Sequence, residues 1–237
     1  MKVYWRITSI ALIFLIGCKE ESKPTVTIAD KELKEKSIDS VKASEKIEKK
    51  EEKAFKLTDK NVIPYFNAYA DTLTPTKVRI TTKYGDIDIQ LFKKTPYHWA
   101  NFIYLTRNNY FDGTYFHRSV PKFVIQGGNS DKMSTSYKRR DIGKYLLPPD
   151  TRKGFKHHRG IVSMPSSDDV SNPHKLASPF EFFIVTQSPG AYHLDGDYTA
   201  FGKVIRGMDV VDRINAIPID AGEWPEENIP MTVKILD

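Results

Sequence analysis

Residues 77–91 alternate apolar and polar side chains at a period of two, on both sides of a Tyr84-Gly85 turn. Successive strand residues point to opposite faces, so this spacing predicts a β-hairpin with Val78, Ile80, Ile87, Ile89 and Leu91 facing inward. The period then changes. Thr95-Pro96 reads as an N-cap followed by proline at the first helical position. Trp99, Phe102, Ile103 and Leu105 keep helical spacing up to Asn108-Asn109, where the helix is expected to end. Asp112-Gly113 marks a tight turn, and aromatic and β-branched strand segments resume after it. Residues 208–214 predict a second short helix, and residues 231–236 a closing strand. Many short strands with only two helices predict a mainly β fold, a closed antiparallel barrel with helices at its ends rather than an α/β sheet.

Composition sets the limits of that block. Residues 19–60 hold 12 Lys and 11 acidic residues among 42 positions, with Phe55 the single aromatic. Such a stretch cannot bury enough apolar surface to offset its ordering entropy, and it predicts a solvated, disordered tether. Residues 61–76 read as a short extension with Pro64 and Pro75, and residues 77–237 as the domain itself. Ahead of the tether, Lys2 and Arg6 precede an apolar run from Ile10 to Ile16, too short to span a bilayer and of secretory-signal character. The run ends in Leu15-Ile16-Gly17-Cys18, which resembles a bacterial lipobox and makes Cys18 the expected lipidation site. Cys18 is the single cysteine of the chain, so an intramolecular disulfide is excluded. The expectation is an extracytoplasmic protein anchored by lipid to a bacterial membrane, at its periplasmic face or at the cell surface, without a membrane-spanning segment.

The net charge of +6 overstates the basic character of the folded block. Two positive charges lie in the signal and one net charge in the tether, leaving about +3 scattered over the remainder. Nucleic acid would call for a concentrated basic stripe, so that partner is not expected. The cluster Lys138-Arg139-Arg140 reads as a solvated loop within a longer candidate loop over residues 138–153. Apolar residues in the tether are too sparse for a coiled-coil seam, and no helical pattern argues for an oligomer, so a monomer is expected.

The sequence has no G-x-S-x-G elbow, H-E-x-x-H helix, glycine-rich phosphate loop or paired cysteines, so hydrolytic and metal chemistry have no support. His157-His158 is a poor metal clamp, because adjacent strand residues face opposite ways. What stands out is the run Tyr115-Phe116-His117-Arg118-Ser119-Val120-Pro121-Lys122-Phe123-Val124-Ile125-Gln126-Gly127-Gly128-Asn129. Two strand-like runs flank a Pro-Lys turn, which brings Arg118 near Phe123, Val124 and Gln126 on the neighbouring strand. A guanidinium is thereby set beside an apolar patch, with an amide able to orient it.

Phe-His-Arg, then Pro-Lys-Phe, then Gln-Gly-Gly resembles the signature strand pair of cyclophilins. Further matches run in the family's order: Thr95-Pro96 with Asn101-Phe102, Tyr110-Phe111-Asp112-Gly113-Thr114 and Gly160-Ile161-Val162-Ser163-Met164. After these come Glu181-Phe182-Phe183-Ile184, Leu194-Asp195-Gly196 and Phe201-Gly202-Lys203-Val204. The resemblance implies an eight-stranded barrel closed by two helices and a peptidyl-prolyl cis-trans isomerase activity that needs no cofactor. It places Arg118 at the catalytic position, with Phe123, Val124, Phe183 and Leu194 lining the proline pocket. His117, Gln126 and Tyr198 are implied to frame that pocket, and the backbone of Pro165-Ser166 to hold the residues before the substrate proline. Proline-containing polypeptides are the implied partners.

Three departures from the family pattern matter. Glu181 stands where the family has a glutamine; it either pairs with Arg118 or points to solvent. His193 stands where tryptophan is common, which thins the apolar wall and puts sensitivity to cyclosporin-like ligands in doubt. Residues 164–182 form a longer stretch than in compact members, with Asp168-Asp169 and Asn172-Pro173 inside. Two rival readings use the same scaffold: a proline-peptide binding module or chaperone with little turnover, and an inert barrel displayed as an adhesin. Arg118 and Gln126 favour the enzyme, since a pure binder has no need of a guanidinium aimed at the prolyl nitrogen.

Overall fold

A computed structural model describes residues 55–167 and 170–236. The signal, Cys18, most of the tether and Asp168-Asp169 lie outside the described residues. The frame is one curled sheet of eight strands: β2 (Lys77–Thr82), β3 (Gly85–Leu91), β4 (Tyr115–Val120), β5 (Val124–Asn129), β7 (Ile161–Ser163), β8 (Phe182–Val185), β9 (Ala200–Arg206) and β10 (Thr232–Leu236). Their spatial order is β10-β2-β3-β9-β7-β8-β5-β4, with antiparallel neighbours throughout. The period-two hairpin is present as expected. Thr82 pairs with Gly85 across the turn, and Val78, Ile80, Ile87, Ile89 and Leu91 are buried.

Closure is weaker than a full barrel requires. Edge strands β4 and β10 share no ladder and meet through a single bridge, Tyr115 to Pro230. Phe116 N–H to Ile229 O (3.1 Å) and Met231 N–H to Thr114 O (2.9 Å) flank that bridge, a pattern that asks for no N–H from Pro230. The sheet is best described as a half-barrel whose open side is filled by side chains.

Four α-helices accompany it among the described residues, not two. The helices read from the sequence are α2 (Pro96–Arg107), packed across β9 and β10, and α4 (Met208–Asn215), packed against β3, β4 and β5. The extension at residues 61–76 folds into α1 (Val62–Asp71) and lies along α2. Pro64 sits in the first turn of α1, where its missing N–H breaks no helical bond. The candidate loop at residues 138–153 begins inside α3 (Met133–Ile142). Of the side chains on α3 only Thr135 is buried, so no apolar stripe marked it in the sequence.

The tether also ends earlier than expected. Leu57 is fully buried, and β1 (Leu57–Thr58) pairs in parallel with β6 (Gly143–Lys144). Gly143 has φ 133°, and a Cβ there would meet the Leu57 carbonyl oxygen at 2.0 Å, so only glycine allows the two segments this close.

Candidate active site

The strand pair β4–β5 carries the site, and its register decides what faces where. Val120 opposes Val124, Ser119 opposes Ile125 and Arg118 opposes Gln126, but Phe116 opposes Gly127. His117 is therefore the extra residue of a β-bulge. Strict alternation would put Phe116 and Arg118 on the same face. The bulge reverses this: Phe116 enters the barrel core, and Arg118 joins Gln126 on the outer face.

The turn between the strands is fastened from outside the hairpin. Lys122 takes a left-handed conformation (φ 59°), and its N–H donates to Asn215 Oδ1 (2.8 Å). Asn215 Nδ2 donates in turn to Ser119 Oγ (2.9 Å) and the Val120 carbonyl (3.0 Å). Thr186 N–H and Gln187 N–H both donate to the Phe123 carbonyl, at 2.8 and 3.2 Å. Nothing in the sequence marked Asn215 for this task; it lies at the last position of α4, about ninety positions after the turn.

Outer-face residues of β5 and β8 form a second apolar cluster: Val124, Phe183 and Val185, joined by Ala191, Ala200 and the partly buried Phe123, Leu194 and Tyr198. Above it opens a cavity of about 340 Å³. Arg118, Phe123, Val124, Gln126, Pro165, Ser166, Phe183, Leu194 and Tyr198 line it, so these sequence-selected residues converge on one space. The floor is braced from behind. Phe183 stacks on His157 (centroids 6.2 Å apart) and meets Tyr198 edge-on (5.9 Å). His157 Nδ1 lies 2.8 Å from Asp195 Oδ1, and Nε2 lies 3.1 Å from Ser163 Oγ. Burial lowers the His157 pKa, against the opposing pull of the Asp195 carboxylate.

Three selected residues stand off the cavity. His193 stacks on the outer side of Phe123 (centroids 5.3 Å, planes 24° apart) and so extends the apolar wall indirectly. His117 is buried at the bulge, with its ring 5.8 Å from that of Trp224 and Nε2 3.5 Å from Glu181. Glu181 corrects both alternatives given for it above. It neither touches Arg118 nor faces solvent; it is largely enclosed one layer behind the pocket. Gln126 Nε2 donates to Glu181 Oε2 (2.8 Å), and Arg139 Nη2 donates to Oε1 (3.3 Å). Burial pushes the Glu181 carboxyl up, but His117, Gln126 and Arg139 together outweigh this and hold its pKa at about 2.

The hydrogen-bonded route from Glu181 to the guanidinium thus runs through the amide. Because Gln126 donates to Glu181, its oxygen is left to accept from Arg118 Nη1, at a long 3.4 Å. The basic cluster is also structural rather than a solvated loop. Arg139 bonds Tyr110 Oη (2.8 Å) and lies over the rings of Tyr110 and Phe180, while Lys138 Nζ donates to the Asn109 and Asp112 carbonyls (2.7 and 2.8 Å). Gly128, at φ 100°, lets β5 pass this layer, since a Cβ would meet the Phe180 carbonyl at 2.3 Å.

The strongest partner of Arg118 was not found in the sequence. Nε donates to Glu223 Oε2 at 2.7 Å, from a loop more than a hundred positions downstream.

A family model described as cyclophilin type peptidyl-prolyl cis-trans isomerase/CLD matches residues 77–235. This chain belongs to that family. Among similar curated proteins is a peptidyl-prolyl cis-trans isomerase of Acinetobacter baylyi, 34% identical over 170 residues, covering 70% of this chain and 86% of the relative. Another, CYP18-2 of Arabidopsis thaliana, is 30% identical over 167 residues, covering 69% of this chain and 96% of the relative. Peptidyl-prolyl cis-trans isomerase-like 2 of Rhizopus delemar is 39% identical over 153 residues, and the match spans only 27% of that longer protein. Among solved structures, a Cryptosporidium parvum cyclophilin-type isomerase is 28% identical with a TM-score of 0.58, over 69% of this chain and 99% of its own. The same protein was also solved in the presence of the dipeptide Ala-Pro. The segment containing β1 and α1 precedes the region matched by the family model, whereas α3 lies inside it, between β5 and β6.

Proposed function

We propose that this cyclophilin accelerates rotation about Xaa-Pro bonds of exported polypeptides, with Arg118 as the catalytic group. The observation that carries the reading is a guanidinium at the mouth of an apolar cavity, backed by an amide whose orientation a buried carboxylate fixes. Rotation about the amide has a barrier of about 18–20 kcal/mol. An ordinary turnover of about 10–10³ s⁻¹ asks for a barrier near 13–16 kcal/mol, so the protein must supply only about 3–6 kcal/mol. No bond breaks, and neither nucleophile nor metal is needed.

Resonance holds the prolyl nitrogen planar in the ground state. As the amide twists, that nitrogen pyramidalises and its lone pair becomes an acceptor for Arg118. A charge-assisted hydrogen bond contributes about 1.5–3 kcal/mol, and one formed only in the twisted state raises turnover rather than affinity. Phe123, Phe183 and Leu194 provide a seat for the ring while the preceding carbonyl swings. That apolar surface also disfavours the more polar planar amide, which supplies the rest. That the Cryptosporidium parvum relative was solved in the presence of the dipeptide Ala-Pro supports proline-containing peptides as ligands.

Cis/trans exchange on a short Xaa-Pro peptide tests the proposal. Wild type is expected to accelerate exchange, and Arg118→Ala to lower that acceleration by about 10–100-fold, the rate equivalent of the lost bond. If wild type binds the peptide without accelerating exchange, the binding-module reading replaces this one. We further propose attachment through a lipidated Cys18, supported by Leu15-Ile16-Gly17-Cys18 ahead of a charged tether. Cys18→Ser is expected to release the protein from membranes or block its processing; unchanged fractionation and processing would end that proposal.

A further inference from the structure

A guanidinium can stabilise a twisted amide only if its plane is held still, and Arg118 is about two-fifths exposed (38%). Among the described residues it has two side-chain hydrogen-bond partners. Gln126 accepts weakly from Nη1 at 3.4 Å, and Glu223 accepts from Nε at 2.7 Å. Together with the Cδ attachment, contacts at Nε and Nη1 fix the plane of the guanidinium, and the shorter of the two is the one to Glu223.

The loop that presents Glu223 is locked to the same strand. Glu223 has φ 63°, a region disfavoured for a residue with a Cβ. Its carbonyl accepts from Ser119 N–H (2.9 Å), the residue next to Arg118, and its own N–H donates to the Asp220 carbonyl (3.0 Å). Asp220 Oδ1 accepts from the N–H groups of Gly222 and Trp224, at 2.8 and 2.9 Å, and so closes the loop. One residue therefore fastens both the backbone of β4 and the side chain it carries. Holding Nε leaves the Nη side of the guanidinium facing Gln126 and the cavity.

We infer that Glu223 is the positioning residue for Arg118, holding the guanidinium in the plane that the twisted amide meets. The inference rests on the catalytic role proposed for Arg118. An exposed ion pair is weak and screened by salt, so the effect is modest: about three- to fivefold in rate. It falls on kcat, because the apolar cavity binds the proline ring whatever the guanidinium does. Glutamine keeps an oxygen that accepts from Nε, so it restores most of the rate without the charge.

The experiment is peptide exchange kinetics for wild type, Glu223→Ala, Glu223→Gln, Arg118→Ala and the double variant Arg118→Ala/Glu223→Ala. Expected are a three- to fivefold fall in kcat with unchanged KM for Glu223→Ala, near-complete recovery for Glu223→Gln, and no added loss in the double variant. The Arg118 Nε–H resonance should also shift in Glu223→Ala and stay near its wild-type position in Glu223→Gln. A wild-type rate in Glu223→Ala, or a rate above it, would overturn the inference while leaving Arg118 in place. So would an equal loss in the Arg118→Ala background, which would mark a purely structural loop. A wild-type protein with no acceleration at all would remove the isomerase reading first, and this inference with it.

Discussion

Strands β5 and β8 each serve two apolar clusters, one on either face. Inward, Ile125, Phe182 and Ile184 join Phe102, Phe111, Phe116 and Phe201 in the core of the half-barrel, all at 0–1% exposure. Outward, Val124, Phe183 and Val185 underlie the cavity, where Phe123, Leu194 and Tyr198 remain partly open. The residue types are nearly the same on the two faces; what differs is coverage. The inner face is sealed by helices and by its own side chains, whereas among the described residues the outer one is covered only in part, by the half-open Phe123, Leu194 and Tyr198. An apolar surface left partly uncovered beside a fixed cation is what a proline ring can use, and a sealed one only stabilises the fold.

Adjacent phenylalanines allow the sharpest break of this contrast. Phe182→Ala is expected to cost about 3–5 kcal/mol of stability through the cavity it leaves, with the activity per folded molecule little changed. Phe183→Ala should cost less stability but lower kcat/KM by at least tenfold, since it removes the floor of the site. Denaturant unfolding and exchange kinetics on both variants check this, and similar profiles for the two would dissolve the distinction between the faces.

Acid sharpens the comparison gradually, one pH unit at a time. His98 lies in the inner core with both ring nitrogens unpartnered, and burial pushes its pKa down to about 3. The unfolded chain takes up this proton near the ordinary histidine value and the folded one does not. Its stability contribution is therefore intact above about pH 6.5 and falls by about 1.4 kcal/mol per unit as pH drops towards 3. Glu181, at the outer layer, has a folded pKa of about 2, so its contribution is present above about pH 4.5 and is lost only between there and 2. Denaturant midpoints against pH should show the first loss flattened in His98→Leu and the second in Glu181→Gln. A first loss unchanged in His98→Leu would mean that other groups, such as His157, carry it.

Much of the frame was legible because it rests on local rules. Period-two alternation defined the β2–β3 hairpin, and Thr95-Pro96 and Asn108 bounded α2 within a residue or two. The outer-face residues of the site were legible for a related reason: Phe123, Val124, Gln126 and Phe183 sit in short runs whose order resembles the family. The misses share a different cause. Helix α3 is held by Lys138 and Arg139 reaching distant carbonyls and Glu181, and such bonds leave no apolar period. Leu57 looked like part of a tether because its partner, Gly143, is remote in sequence.

Arg118 shows where that boundary falls. The chain by itself determined that an arginine lies on a strand beside apolar and amide residues, because those neighbours are adjacent or one turn away. It did not determine which way the arginine points. That was decided by a bulge at His117, by a register fixed through Asn215, and by Glu223 arriving from a loop near the C-terminus. Side-chain direction on a strand reverses with a shift of one residue, and only contacts between remote segments fix that shift.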